Sequence, residues 1–184
     1  MLMLFMACST PAPEAPPPSP EPAVIQDAAA EAKALAQAND ALGELKKSFK
    51  ARLGEVLPEG GPTAAVAVCS TEAQALTAAL SATVGGRVGR SSTKLRNPEN
   101  EGPRWVREWL EAADEDTAGI SEVVDGKARV LKPIVVEPPC MACHGVDIDP
   151  AVATVLAERY PDDAATGYGI GDLRGAMWAE VPVQ

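Results

Sequence analysis

Hydrophobic and polar positions recur along the chain with two different periods, and this pattern divides it into helices and short strands. Ala, Leu, Glu, Gln and Lys predominate over residues 24–57. Within that stretch one apolar stripe repeats at steps of three, four and seven residues, at Leu35, Leu42, Leu45 and Phe49. The pattern predicts a long amphipathic helix. Pro58 and the two glycines after it predict where the helix ends.

The next segment changes its pattern. The short apolar run over residues 64–68 predicts a buried strand. Thr71 and Gln74 have the spacing of a capping box, which predicts a helix from there to about Leu80. Cys69 would then lie at the junction of a strand and a helix. Residues 85–90 predict a loop or an irregular edge strand.

The second half of the chain mixes helices with β-rich runs. Trp105 and Trp109 share one face of a predicted helix, and Asp125-Gly126 is the type I′ turn pair of a hairpin. Asp149-Pro150 has the chemistry of a helix start. The predicted elements are a turn at 97–100, a helix over 103–113, a hairpin over 121–136, a helix ending near 160 and a strand over 173–183. The expected fold class is α+β, with a small antiparallel sheet.

Composition limits the size of the core and the class of partner. The chain has 184 residues, which suits one domain with a tail. Hydrophobic residues make up 46% and aromatic residues 4%, so the core consists mainly of Ala, Val and Leu. The formal net charge of −10 argues against nucleic acid as a partner, because phosphates would be repelled. It is compatible with a partner that carries a basic docking patch.

The N-terminus predicts export and a lipid anchor. Residues 1–8 are apolar and end in Cys8 after a small residue, which is typical of a truncated lipoprotein signal. Residues 9–23 form a proline-rich linker that favours an extended spacer, and residues 24–184 form the expected domain. The alternative is a short apolar leader with a free Cys8. No stretch approaches the roughly 18–20 apolar residues that span a bilayer.

Residues 140–144 have the sequence Cys-Met-Ala-Cys-His, the attachment motif of a c-type haem. Cys140 and Cys143 would form thioethers to the porphyrin, and His144 would bind the iron. His144 is the only histidine in the chain. A redox disulfide and half of a metal site are the alternatives, but no second cysteine pair is present. Since this type of haem attachment takes place outside the bacterial cytoplasm, the motif predicts a periplasmic or cell-envelope protein.

The iron also needs a ligand on its other side, or an open position. No second histidine exists, so the candidates are Cys69, Met177, another Met, a Lys or an open site. Cys69 is the only cysteine of the expected domain that attachment does not use. A small buried apolar role is the alternative for Cys69, and core packing is the expected role of Met177.

Several motifs together resemble one known family. They are residues 88–92, 94–100, 132–134, 140–145, 160–168 and 171–176. The chain resembles, over about residues 60–182, the single-haem, c-type, PAS-like domains first described as a protein of unknown function in cyanobacteria. The resemblance implies a PAS-like central antiparallel sheet flanked by helices, with a long N-terminal helix. It also implies a cysteine as distal iron ligand, and Ala67-Val68-Cys69 matches that short motif.

Partly buried haem propionates need cationic or polar partners. The candidates in the family-like motifs are Arg90, Lys94, Arg96, Lys132 and Arg174. Each could instead be a solvated surface cation. A group of aspartates near the haem motif is more simply explained by helix capping and turn formation than by a metal: Asp147, Asp149, Asp162 and Asp163.

Three functions follow from a covalently bound haem c. The first is a redox or gas sensor that reads the potential or a diatomic ligand. The second is a low-potential periplasmic electron carrier that serves a redox partner protein. An enzyme such as a peroxidase is disfavoured, because no distal histidine is available as a general base.

Overall fold

A four-stranded antiparallel sheet carries helices on both faces in the computed structural model, which describes residues 22–114 and 116–184. The signal at 1–8 with Cys8, and all but the last two residues of the linker at 9–23, lie outside the described residues. The helices are α1 (Pro22–Thr71), α2 (Ala73–Val84), α3 (Arg104–Ala112), α4 (Met141–His144) and α5 (Pro150–Arg159). The strands are β1 (Arg87–Ser91), β2 (Ile120–Val124), β3 (Lys127–Val135) and β4 (Leu173–Pro182).

The sheet has the strand order β1-β4-β3-β2, so the last strand of the chain lies inside the sheet. β2 and β3 form the predicted hairpin, with Asp125 at φ 51° and Gly126 at φ 70° in its turn. Two consecutive residues with positive φ are what a type I′ turn requires. The α+β class with an antiparallel sheet is confirmed. β1 is an edge strand, and its five residues pair with β4 in regular register.

Two hydrophobic layers hold helices against the sheet. The predicted stripe of α1 is confirmed: Leu42 and Leu45 are fully buried against Val130 and Met177, with Leu35 and Phe49 packed beside them. Met177 therefore has the predicted core role. On the opposite face, Trp105 and Trp109 of α3 pack around Leu131 and Trp178. The Trp105 and Trp178 rings meet edge to face at 6.2 Å.

The predicted course of the chain between residues 58 and 69 is wrong. The helix predicted over 24–57 continues past Pro58, breaks at Gly61 and resumes from Pro62 to Thr71. Gly61 has φ 65° and ψ −168°, a conformation that is essentially restricted to glycine. Pro62 is tolerated because the first turn of a helix needs no intrahelical N–H donor. The apolar run at 64–68 is thus helical. The prediction failed because so short an apolar run has no periodicity that distinguishes a strand from a helix.

The predicted capping box is also absent. The Thr71 hydroxyl donates a hydrogen bond to the Ala67 carbonyl at 2.8 Å instead of capping a new helix. α2 begins at Ala73, after Glu72, whose side chain makes no capping bond. Cys69 consequently lies near the C-terminal end of α1, and not at a junction of strand and helix.

Most elements of the second half match their predictions. Asn97 caps a 3₁₀ turn over Pro98–Asn100, and its side chain accepts a hydrogen bond from the Glu99 N–H. Asp149 caps α5 by accepting a hydrogen bond from the Ala151 N–H at 2.8 Å. Among the helices of residues 22–114 and 116–184, none has the length and apolar character required to cross a membrane.

Replacement of Gly61 tests the break in α1. Gly61→Ala places a β-carbon on a backbone with positive φ, so we expect a loss of about 1–3 kcal/mol in the free energy of unfolding. Gly43→Ala is the matched control, because Gly43 lies inside the same helix with nothing within 4 Å of an added β-carbon. It should stabilise the protein by about 0.5–1 kcal/mol. Chemical denaturation measures both, and equal effects would contradict a break at Gly61.

Candidate functional site

The haem-motif segment, residues 138–144, forms a tight helical turn whose two ends are tied to the loop that leads into β4. Pro138–Cys140 is a 3₁₀ turn that leads directly into α4. At its entry the Val136 N–H donates to the Asp172 carbonyl at 2.9 Å, and at its exit the Tyr168 N–H donates to the His144 carbonyl at 3.0 Å. Cys140 and Cys143 are both half-buried free thiols. The segment presents two thiols and one imidazole on a short, anchored element.

One ring nitrogen of His144 is committed to the protein backbone. Nδ1 lies 2.7 Å from the Ala165 carbonyl oxygen, and Nε of Arg174 lies 3.3 Å from the same nitrogen. Nδ1 cannot both donate to Ala165 and accept from Arg174, and the shorter contact identifies it as a donor. Nε2 then carries the lone pair, which is the tautomer that suits a metal ligand.

The surroundings keep the imidazole of His144 neutral. Burial lowers its pKa to about 4, and the positive charges of Arg174 and Arg96 act in the same direction. A neutral imidazole can bind iron through Nε2 without first losing a proton from that nitrogen.

Cys69 and His144 line the same internal space. A cavity of about 480 Å³ lies between α1 and the haem-motif segment, and a smaller one of about 190 Å³ lies beside β1. Both are lined by Cys69, Arg96, His144 and Tyr160, so the two cavities adjoin. Burial raises the pKa of the Cys69 thiol, whereas the charges of Arg90 and Arg96 oppose that rise. Cys140 and Cys143 open onto the larger cavity.

Two of the five predicted propionate partners line the smaller cavity without a carboxylate partner. Within the described residues Arg90 and Arg174 form no salt bridge, and burial lowers the pKa of both. The Arg90 guanidinium lies 4.2 Å from the centre of the Phe49 ring. The buried Nε of Arg90 has no hydrogen-bond partner among the described residues. Buried charges are normally paired, so these two cations are suited to an anionic group in the cavity.

The other three predicted cations differ in position. Arg96 lines both cavities but pairs with Asp163, at 3.0 Å between Nε and Oδ2. Lys94 is exposed and lies over the Tyr168 ring, with Nζ 4.8 Å from the ring centre. Lys132 is exposed on β3 and lines neither cavity. The structure thus gathers three of the five candidates around the cavity.

The residues present fit a haem with respect to both shape and chemistry. The larger cavity has a mainly apolar wall that includes Leu53, Leu57, Val66 and Leu156, which suits a porphyrin face. Two thiols and a neutral imidazole approach it from the haem-motif segment, and the sulfur of Cys69 approaches from α1. Arg90 and Arg174 supply positive charge for carboxylates on one side.

Three residues of the site were not predicted from the sequence. Tyr160 is buried at the end of α5 and lines both cavities, and burial raises its pKa to about 12. Asp163 was interpreted as a turn residue, although it also pairs with Arg96. Ala165 contributes only its backbone carbonyl, for which side-chain chemistry gives no signal. For Asp163, the sequence signal was the presence of Arg96 and of several aspartates in the same family-like motifs, which could have indicated an ion pair.

Comparison with known proteins identifies the class to which this fold and site belong. The model of the Tll0287-like family matches residues 21–182, and the chain belongs to this family. The resemblance drawn from the motifs is thereby confirmed. Among solved structures, the crystal structure of the cyanobacterial heme-protein Tll0287 is similar, with a TM-score of 0.52 and 23% identity over 60% of this chain and 69% of that chain. This likeness shows a shared fold. None of the curated proteins matches the chain.

Because His144 is the only histidine in the chain, the lowered pKa of its ring can be measured from the pH dependence of stability. In the haem-free chain, the unfolded form binds a proton at His144 near its ordinary value of 6.5, whereas the folded form binds it near pH 4. The free energy of unfolding should therefore fall as the pH is lowered through this window, by at most about 1.4 kcal/mol per pH unit. Denaturation at several pH values tests this slope. His144→Gln should remove that contribution, and an unchanged slope would contradict burial of a neutral imidazole.

Proposed function

We propose that this protein is a c-type haem protein of the bacterial cell envelope that acts in redox or gas sensing. Cys140 and Cys143 hold one haem covalently, His144 binds the iron on one side and Cys69 binds it on the other. The observation that carries the proposal is that Cys69 and His144, on separate elements, line the same pair of adjoining cavities.

The family gives independent support for the cofactor. The similar solved structure is described as a heme-protein, and this chain has an attachment motif of its own at residues 140–144. A four-stranded antiparallel sheet with flanking helices and a long N-terminal helix also agrees with a PAS-like domain.

Each ligand would influence the iron in a defined way. Haem bound here would supply a one-electron Fe(III)/Fe(II) couple. A thiolate from Cys69 donates negative charge and stabilises the ferric form, which lowers the reduction potential. Burial keeps the His144 ring neutral, and its bond to the Ala165 carbonyl leaves Nε2 as the nitrogen that would bind the iron. Tyr160 retains its proton and can donate a hydrogen bond to a diatomic ligand in the space beside Cys69.

The position of Cys69 favours sensing over simple electron transfer. It lies on the short helical segment 62–71, which follows the break at Gly61. Binding or release of the Cys69 sulfur would therefore act on a segment whose direction is set by that break. Such a ligand change is a two-state element that a partner could detect.

A low-potential electron carrier is the second candidate. Its support is the exposure of Glu137, Pro138 and Pro139 directly before Cys140. The attached edge of the haem would therefore lie near solvent, where a redox partner protein can approach. We do not propose an enzyme, because no second histidine is available as a general base.

Export is part of the proposal. Covalent attachment at residues 140–144 requires maturation outside the cytoplasm, and Cys8 would carry the lipid that anchors the protein to a membrane. The proline-rich residues 9–23 would then separate the haem domain from that surface.

Substitution of Cys69 tests the distal ligand. Protein matured in a host with haem-attachment machinery should gain the mass of one haem and show the EPR spectrum of low-spin thiolate-ligated Fe(III). Cys69→Ala should keep the haem mass but lose the thiolate spectrum.

Met177→Leu is the matched control, because Met177 is the alternative sulfur ligand and is buried in the core. It should leave the spectrum unchanged. An unaltered spectrum in Cys69→Ala would exclude Cys69 as a ligand, and material without the added mass would exclude covalent haem.

Reduction kinetics separate the two candidate functions. For a sensor, we expect slow reduction, a change of the absorption spectrum that reports loss of the Cys69 ligand, and binding of CO or NO only afterwards. Stopped-flow mixing with dithionite and then with CO measures all three. Fast, reversible reduction with unchanged ligation and no CO binding would favour the electron carrier.

A further inference from the structure

Arg96 and Asp163 form an ion pair inside the protein, directly beside the haem-motif segment. Nε of Arg96 lies 3.0 Å from Oδ2 of Asp163, and the two side chains are only 11% and 10% exposed. A buried ion pair bears a large desolvation cost, so its net contribution to stability is small. Its position beside Cys143 and His144 therefore indicates a functional role.

The remaining hydrogen bonds of the pair go to Cys143, which precedes His144 in the chain, and to Ala165, which contacts the His144 ring. Nη2 of Arg96 donates to the Cys143 carbonyl at 2.5 Å and to the Ala165 carbonyl at 3.3 Å. Oδ1 of Asp163 accepts a hydrogen bond from the Ala165 N–H at 2.8 Å. Both polar groups of the Ala165 backbone are thus bound to the pair, and so is the residue that precedes His144.

The Ala165 carbonyl is also the acceptor for His144. Nδ1 of His144 donates to it at 2.7 Å, the shortest hydrogen bond that the imidazole makes. Ala165 has no exposed surface, so water does not reach this carbonyl. Arg96 and Asp163 are therefore the side chains that bind the Ala165 backbone directly beside the imidazole.

We propose that Arg96 and Asp163 are positioning residues that hold the Ala165 carbonyl against Nδ1–H of His144 and thereby tune the imidazole as an iron ligand. This inference rests on the proposed function, because it takes Nε2 of His144 to be bound to iron. A hydrogen bond at Nδ1 increases the basicity of the ring at Nε2 and fixes its orientation. A weaker bond makes His144 a poorer donor, which destabilises Fe(III) relative to Fe(II) and raises the reduction potential.

The same contacts distinguish Arg96 from the other cations of the cavity. Arg90 and Arg174 have no carboxylate partner within the described residues and remain available for propionates. Arg96 uses Nε and Nη2 for protein groups. Its planar fork holds the Asp163 carboxylate through Nε and the two carbonyls through Nη2 at a fixed spacing, which the single ammonium group of a lysine cannot reproduce.

Two substitutions with matched controls test the proposal in the haem-loaded protein. Arg96→Lys keeps the charge and removes the fork, and Asp163→Asn removes the carboxylate charge. Arg104→Lys is the control for the first, because the Arg104 side chain is 84% exposed on α3. Asp162→Asn is the control for the second, because Asp162 is the exposed neighbour of Asp163 and changes the net charge equally.

The measurements are the reduction potential and pulsed EPR of the oxidised protein labelled with ¹⁵N-histidine. Since the chain has one histidine, the label reports Nδ1 and Nε2 of His144 alone. Arg96→Lys and Asp163→Asn should both raise the potential and shift the Nδ1 signal towards a weaker hydrogen bond. Arg104→Lys and Asp162→Asn should change neither quantity.

The outcomes separate this proposal from the function on which it rests. An unchanged Nδ1 signal in Arg96→Lys would overturn the positioning role, even where the potential moves through charge alone. If Asp163→Asn does not accumulate as folded protein, Arg96→Lys decides the matter, because its charge is retained. Absence of any histidine nitrogen coupling in the wild-type protein would instead refute iron ligation by His144.

Discussion

The break in the long N-terminal helix at Gly61 is the constraint on which the geometry of the site depends. Residues before the break pack their apolar stripe onto the sheet, and residues after it turn Cys69 towards the haem-motif segment. An unbroken helix would continue in its original direction and would carry Cys69 away from His144. One glycine with positive φ thus allows a single helix to serve both the core and the cavity.

The lining of the smaller cavity carries positive charge, opposite in sign to the net charge of the whole chain. The net charge is −10, yet three arginines line the smaller cavity and only Arg96 is paired with a carboxylate within the described residues. Burial without a partner makes Arg90 and Arg174 costly to the folded chain. An anionic group in the cavity would offset that cost, so occupation of the cavity and stability of the fold are linked.

The sequence predicts the elements whose signals are local, and it fails where distant packing decides. The Asp125-Gly126 turn and the Asp149 cap each depend on adjacent residues, and both are confirmed. The apolar run at residues 64–68 predicts a strand because it is short and follows the helix stop signal at residues 58–62, and only the packed structure shows that a helix resumes there. His144 was identified by its motif. Its acceptor, the Ala165 carbonyl, is a backbone atom that no residue type reveals.

The central claim is that Cys69 and His144 bind one iron from opposite sides. X-ray absorption at the iron K-edge tests this directly, because it counts the sulfur and nitrogen atoms bound to the metal. The oxidised protein should show one sulfur and five nitrogens, four from the porphyrin and one from His144. A first shell of nitrogen and oxygen alone would show that Cys69 does not bind the iron, and the role assigned to the break at Gly61 would be wrong.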